Sequence, residues 1–311
     1  MIATITINPT IDKTFTVEKL IPEKKMRCLT PSVDAGGGGV NVSKAIKRLG
    51  GESLAIFPAG GTNGEVLKNL LDEEGILYKA LPVKSETRES ITINELSSNE
   101  QYRFVMPGAG FDEEDIENFI ELLRSVQPLP DILVASGSLQ PGVPDDFYAR
   151  LSKITKQKGI KFFADTSGKP LELAVDEGVY LLKPNLLELC TLAGKEYLEL
   201  DEVDDAAKLL IDSGRCEVVV VSMGPAGAML VTKDIVEKVP APTVKKLTTV
   251  GAGDSMVAGM VWMLEQGRSL SEMVRFGVAC GTAATMNPGT QLFKKEDALK
   301  LYEWINKKSG K

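Results

Sequence analysis

Histidine is absent from all 311 residues. The commonest general base is therefore missing, and any proton transfer must use Asp, Glu, Lys, Tyr or Cys. Cysteine is scarce. Cys28, Cys190, Cys216 and Cys280 are scattered with no CxxC pair, so neither a zinc site nor a redox couple is suggested. They read as free, mostly buried thiols. No apolar run reaches the ~18 residues of a membrane span. The opening MIATITINPTIDKTF lacks a charged segment followed by a long apolar core, so no signal peptide is expected and the chain reads as cytoplasmic. Positive charge is not in excess either. A net charge of −7 argues against a general nucleic-acid or membrane-surface binder. Two phosphate motifs are also missing. GxxxxGK[ST] does not occur, and the first strand runs into NPTID rather than the glycine turn of GxGxxG.

What is present fits an α/β fold. The composition, 43% hydrophobic and 25% charged, is that of a globular chain long enough for a sizeable core. Strand-like runs (ATITIN, SLAIFPAG, DILVASGSL, KFFADTSG, YLLKPN, VVVVSMG) alternate with helical patterns near 40–49, 65–74, 112–126, 145–158, 186–194 and 202–213. Runs such as VVVV lack alternation, as in strands covered on both faces. The pattern predicts a mostly parallel sheet between helices, with a mainly helical stretch after residue 253. TFTVEKL, ESITINEL and QYRFVMP alternate instead, with SSNE as a hairpin loop. They predict a small antiparallel sheet, from about 12–30 and 88–106, standing off one domain of 1–311. Such a sheet is either an edge extension or a lid, and its apolar face must be covered, by the body or by another chain.

Several motifs carry chemistry. DAGGGGVN puts four glycines before a helix, either as a flexible turn or as a place where a ligand meets the backbone; Asn41 falls in the first helical turn. Lys24, Lys25, Arg27, Arg88 and Arg103 gather in or beside the small sheet, where arginines suit a bidentate phosphate. SGSL ends a strand, where α/β sheets place ligands, and Ser138 can hold a phosphate. In KPNLLE, Asn185 and Glu188 are three apart, which fits a capping box and equally a pair of oxygens toward Mg²⁺. SMGPAGAML reads as a hairpin, or as a ledge for a nucleotide. In TVGAGDSMVAGM, Asp254 either caps a helix or stands as a base beside an anion site made by the Gly251, Ala252 and Gly253 amides. The run after it is apolar all round, so that helix is expected in the core.

Together these motifs resemble the ribokinase-like sugar kinases of the PfkB family, over nearly the whole chain from NPTID to NPGTQLF. GGGGVN is similar to that family's glycine motif, KPNLLEL to its NxxE motif and TVGAGDSMVAG to its C-terminal motif. NEQYRFVMPGA, VASGSLQPGV and EMVRFGVACGTAAT lean toward its 6-phosphofructokinases. Gly38 departs from the lysine usual in members acting on fructose 1-phosphate or tagatose 6-phosphate, which remain the alternatives within the family. A nicotinamide-dependent oxidoreductase and a non-catalytic sugar-phosphate sensor are the alternatives outside it.

The resemblance implies a three-layer fold with a β lid, and ATP-dependent phosphorylation of the C1 hydroxyl of fructose 6-phosphate. It implies Asp254 as base and Gly251, Ala252 and Gly253 as the γ-phosphate's anion hole. Asp12, Gly37, Gly38 and Asn41 would bind sugar hydroxyls; Lys25, Arg27, Arg88, Arg103 and Ser138 would surround the sugar phosphate. Lys183, Asn185, Ser222, Gly224, Pro225, Gly227 and Thr282 would line the ATP site, with Glu188 organising Mg²⁺ through water. Main-chain oxygens near Val250, Ala284, Asn287 and Gly289 would hold a monovalent cation such as K⁺. The lids would pair across a homodimer.

Overall fold

A computed structural model describes residues 1–108, 110–287 and 291–309. In chain order, β1 (Ile2–Ile5) leads into β2 (Thr10–Val17) and β3 (Leu29–Gly36), then α1 (Gly38–Leu49), β4 (Ser53–Ala59), α2 (Gly61–Glu73) and β5 (Leu77–Pro82). Next come β6 (Arg88–Glu95), β7 (Glu100–Val105), α3 (Glu113–Arg124), β8 (Ile132–Ser136), α4 (Phe147–Lys158), β9 (Lys161–Asp165), α5 (Gly168–Glu177) and β10 (Val179–Leu182). The remainder is α6 (Leu186–Leu192), α7 (Val203–Asp212), β11 (Cys216–Ser222), β12 (Ala228–Val231), β13 (Val236–Val239), α8 (Ala252–Glu265), α9 (Leu270–Ala284) and α10 (Lys295–Ser309).

Nine strands form the main sheet in the order β13-β12-β11-β10-β9-β8-β1-β4-β5. Its ladders are parallel except at the β11-β12-β13 edge. SMGPAGAML is thus a hairpin around a 3-10 turn at Gly224–Ala226. Side chains alternate across the sheet. Leu133 and Ala135 of β8 face α3, α4 and α5, whereas Ile132 and Val134 face α1, α8 and α9. This double burial explains why the central strands read as unbroken apolar runs. The chain leaves β1 toward β4 on one side and returns to β8 on the other, so a topological switch point lies between β1 and β8. In open α/β sheets, ligands bind outside the carboxyl ends of strands at such a point.

A second sheet of four strands, β3-β2-β6-β7, carries the two expected lid segments. One correction is needed. β2 pairs with β3, and β6 with β7, in antiparallel fashion, but the central β2-β6 ladder is parallel. The reason is connectivity: β2 follows β1 and β6 follows β5, two strands that run parallel in the body with β4 between them, so both enter the lid from the same side. One lid face presents Thr10, Asp12, Arg88, Ser90 and Arg103. The other carries Phe15, Ile91 and Ile93, half-buried, together with exposed Val33, Tyr102 and Phe104.

Helix α8 is buried from Ser255 through Val261, in keeping with its unbroken apolar run. Its neighbour α9 comes very close. A Cβ on Gly259 would lie 2.8 Å from the Cys280 sulfur, and 3.2 Å from the Gly277 Cα. Three of the four cysteines are buried; Cys28 is exposed.

Candidate active site

The glycine run after β3 is a place of close approach, not a loose turn. A Cβ on Gly38 would stand 2.7 Å from the Ser136 carbonyl carbon and 2.8 Å from the Gly137 nitrogen. One on Gly39 would stand 2.7 Å from the Ile5 carbonyl carbon. Gly37 has φ of 108°, a region that other residues enter only with strain. The ends of β1 and β8 therefore press directly on the start of α1. Hydroxyls hold that arrangement: Thr6 Oγ1 accepts from the Val40 amide at 2.8 Å, and Thr4, Ser43 and Ser53 form a buried chain at 2.8 and 2.9 Å. Asn41, one turn into α1, is aimed across the gap.

Its target is Asp254. The Asn41 amide donates to Asp254 Oδ2 at 2.9 Å, and the Ser136 hydroxyl lies 3.4 Å from Oδ1. Asp254 does not cap its helix. The N-cap of α8 is Gly251, in the left-handed region at φ 72°, and Asp254 is the third helical residue. Its carboxylate turns away from the helix amides toward α1 and β8. The Ala252 amide donates to the Thr249 carbonyl at 3.3 Å, and the helix dipole favours an anion at this end of α8. Burial pushes Asp254 up to about 6, and the neighbouring Asp165 carboxylate adds to the rise against the pull of Asn41, Lys183 and Ser136.

Lys183, just after β10, pairs with Asp165 Oδ1 at 3.1 Å. Burial alone would lower its pKa, but the carboxylates of Asp165, Glu188 and Asp254 together raise it, so it stays an ammonium. Its Nζ would be 3.7 Å from a Cβ on Gly253, which puts the cation over the first turn of α8. Asn185 and Glu188 form a reciprocal capping box at 2.9 Å each way. Burial raises the Glu188 pKa. The capping role is thus real, and it leaves the carboxylate near Lys183. Ser222 adjoins this corner: its amide donates to the Pro184 carbonyl at 2.8 Å, and Asn185 bridges to it. Gly224, Pro225 and Gly227 form the adjoining turn between β11 and β12. Thr282 follows Gly281, whose Cβ position lies 3.1 Å from the Ala252 carbonyl oxygen, so it too borders the start of α8.

The lid supplies the opposite wall. Burial pushes Asp12 up to about 6, against the pull of Arg88, Lys44 and Arg103. Arg88 donates to the carbonyls of Asn8 and Met106, both at 3.2 Å, and its Nε is buried without a partner. Asn8 lies 3.4 Å from Ser138 Oγ, joining Arg88 to the exposed end of β8. Lys25 and Arg27 lie on the exposed connection between β2 and β3. Among the described residues no hydrogen bond or ion pair joins them to Asp12 or Arg88.

Oxygen-rich corners fit cations. Glu188 and Asp165 flank Lys183, a donor set for a hard ion held partly through water and phosphate. Among the described residues, no three His, Cys, Asp or Glu side chains enclose a metal alone. The segment 247–250 is tied to the end of α9, because the Leu247 and Thr248 amides both donate to the Thr285 carbonyl. The Asn287 amide donates to the Ala284 carbonyl at 3.3 Å at that helix end; Gly289 lies outside the described residues.

Sequence reasoning missed Asp165, Ser136, Asn8 and Lys44. Asp165 and Ser136 both end strands at the carboxyl edge of the sheet, which is the signal that would have found them. Lys44 is buried and pairs with Glu74 at 2.9 Å while donating to the Ala35 carbonyl at 3.0 Å, a contact with no local trace in sequence.

A model of the pfkB family of carbohydrate kinases matches residues 4–297. The chain belongs to the PfkB family. It is 42% identical over 307 residues to the ATP-dependent 6-phosphofructokinase isozyme 2 of Escherichia coli, covering 98% of this chain and 99% of that one. It is 33% identical to the 1-phosphofructokinase of Bacillus subtilis, over 95% of this chain and 97% of that protein. Crystal structures of the E. coli phosphofructokinase-2 superpose with TM-scores of 0.93 for a potassium complex (42% identity) and 0.91 for a fructose-6-phosphate complex (40% identity). Each covers 98% of this chain and 99% of that one. No helix among the described residues is long and apolar enough to cross a membrane.

Proposed function

We propose that this PfkB-family kinase transfers the γ-phosphoryl group of ATP to the C1 hydroxyl of fructose 6-phosphate, giving fructose 1,6-bisphosphate and ADP. One observation carries the reading: the start of the buried α8 brings the Asp254 carboxylate beside the Lys183 ammonium that follows β10, opposite the cationic face of the lid. In a chain without histidine, Asp254 is the group able to take the acceptor's proton. Its raised pKa brings it closer to the working pH of a general base. The amides at the start of α8 and Lys183 would face the charge that develops on the transferred group, and positioning plus electrostatics suffices for phosphoryl transfer. Arg88, Arg103 and Ser138 would take the 6-phosphate, with Lys25 and Arg27 brought in by lid closure; Asp12 and Asn41 would take sugar hydroxyls. Lid closure would exclude water from the transfer.

Lys183, Asn185, Ser222, the 224–227 turn and Thr282 would receive ATP. Glu188, through water and with Asp165 nearby, would hold Mg²⁺, which neutralises phosphate charge when bound. Val250, Ala284 and Asn287 would hold K⁺. The exposed apolar lid face of Val33, Tyr102 and Phe104 supports pairing with the lid of a second copy, a homodimer at work in the cytoplasm. The test is ADP release with fructose 6-phosphate, fructose 1-phosphate and tagatose 6-phosphate, compared by kcat/KM. Fructose 6-phosphate should be the best of the three; a clear preference for either alternative would overturn the assignment.

A further inference from the structure

Among the described residues, several buried polar side chains have no part in the phosphoryl transfer, and one of them touches the base. Ser136, 1% exposed at the end of β8, has its hydroxyl 3.4 Å from Asp254 Oδ1 and 3.3 Å from Asp165 Oδ2. A hydroxyl carries one proton, so it donates to one carboxylate at a time. The remaining oxygens are engaged elsewhere. Asp254 Oδ2 accepts from Asn41 at 2.9 Å, and Asp165 Oδ1 pairs with Lys183 at 3.1 Å. Ser136 is also wedged in place, because Gly38 approaches it too closely to tolerate a side chain.

We propose that Ser136 is a positioning residue for the base, a hydroxyl that points to Asp254 while that carboxylate is charged and turns to Asp165 once Asp254 has taken the acceptor's proton. The proposal rests on the reading of Asp254 as base. A donor aimed at a carboxylate favours its charged form, and a second carboxylate nearby disfavours it. Ser136 and Asp165 thus act on Asp254 in opposite senses. The other groups facing Asp254 are neutral Asn41 from α1 and cationic Lys183 after β10, with Glu188 of α6 also acting on Lys183. When Asp254 becomes neutral it no longer needs the donor. The same proton then serves Asp165, which Lys183 keeps paired. The core thereby absorbs each turnover's proton by rotating one bond rather than moving a chain segment.

The test is the pH dependence of kcat/KM for the wild type, Ser136→Ala and Asp165→Asn, with Asp254→Asn as control. A base must be ionised, so the rate rises with pH on the acid limb. Ser136→Ala removes a donor and should move that limb upward by about half to one pH unit. Asp165→Asn removes a like charge and should move it downward. A role confined to packing would lower activity in both variants without shifting either limb. Limbs that stay in place, or that shift the same way, would overturn the proposal. If Ser136→Ala does not fold, Ser136→Cys, close in volume but a much weaker donor, takes its place: an upward shift of the limb supports the bridge and an unmoved limb overturns it. Retained turnover in Asp254→Asn would instead sink the base reading itself, an outcome distinct from failure of the bridge.

Discussion

Asp254 and Asp12 face one cleft from opposite walls, and burial pushes both up to about 6. Their surroundings differ in kind. Asp254 stands on a core helix, held by two neutral donors, with one carboxylate and one lysine nearby. Asp12 stands on a lid strand among Arg88, Lys44 and Arg103, opposed by Asp34. The core wall holds its carboxylate at the start of a buried helix. The lid wall gathers positive charge on a sheet that stands off the body. On the proposed reading the two walls divide the labour, with chemistry on the core helix and recognition on the lid.

The strongest way to break that division is Asp254→Asn. It keeps the shape and the Asn41 neighbour but cannot accept a proton, so kcat should fall on the order of 10²-fold or more. ATP binding, followed by calorimetry, should persist. A near-normal kcat would remove Asp254 from the chemistry. Arg88→Met probes the other wall. It deletes a half-buried cation from the cluster, so KM for the sugar phosphate should rise roughly 10- to 100-fold while kcat changes much less. A fall confined to kcat would place Arg88 on the chemical side instead.

The smallest expected effect is on stability. A carboxyl whose folded pKa is raised favours the fold below its unfolded pKa, near 4, and loses that contribution as pH rises through about 6. For Asp12 burial outweighs the three cations. Asp12→Asn cannot ionise, so its melting temperature at pH 7–8 should exceed that of the wild type by ~2–4 °C, even as sugar binding weakens. A lower melting temperature there would mean that the cations, not burial, govern this wall.

The layered fold was legible because double burial writes itself as apolar runs and because α8 is apolar on every side. Shorter or edge elements were not. β5, LYKALP, lies at the sheet edge and mixes half-buried with exposed residues. β13 has four residues with three at least partly exposed, and β3 carries Pro31 and ends in glycine. Helix α5 opens on GKP, which reads as a turn. The parallel β2-β6 ladder is invisible to alternation, which reports faces and not strand direction. Within the candidate site, the motifs pointed to Asp254, Asn41, Lys183 and Glu188, which lie together in the fold. Asp165 was missed because its strand, KFFAD, reads as core until its last residue.

The four lid strands all join the body at one end, through residues 6–9, 37, 83–87 and the segment after 105. Mechanically the sheet is a plate clamped along one edge. Its free edge is formed by the 18–28 connection and the hairpin at 96–99. A plate so clamped would bend about its clamp as a unit, and on the proposed reading Asp12, Arg88 and Arg103 would then reach a substrate together. Added length at the 96–99 tip leaves the clamp untouched, whereas a single inserted residue at 37 would displace α1 and, through Asn41, the opposite wall.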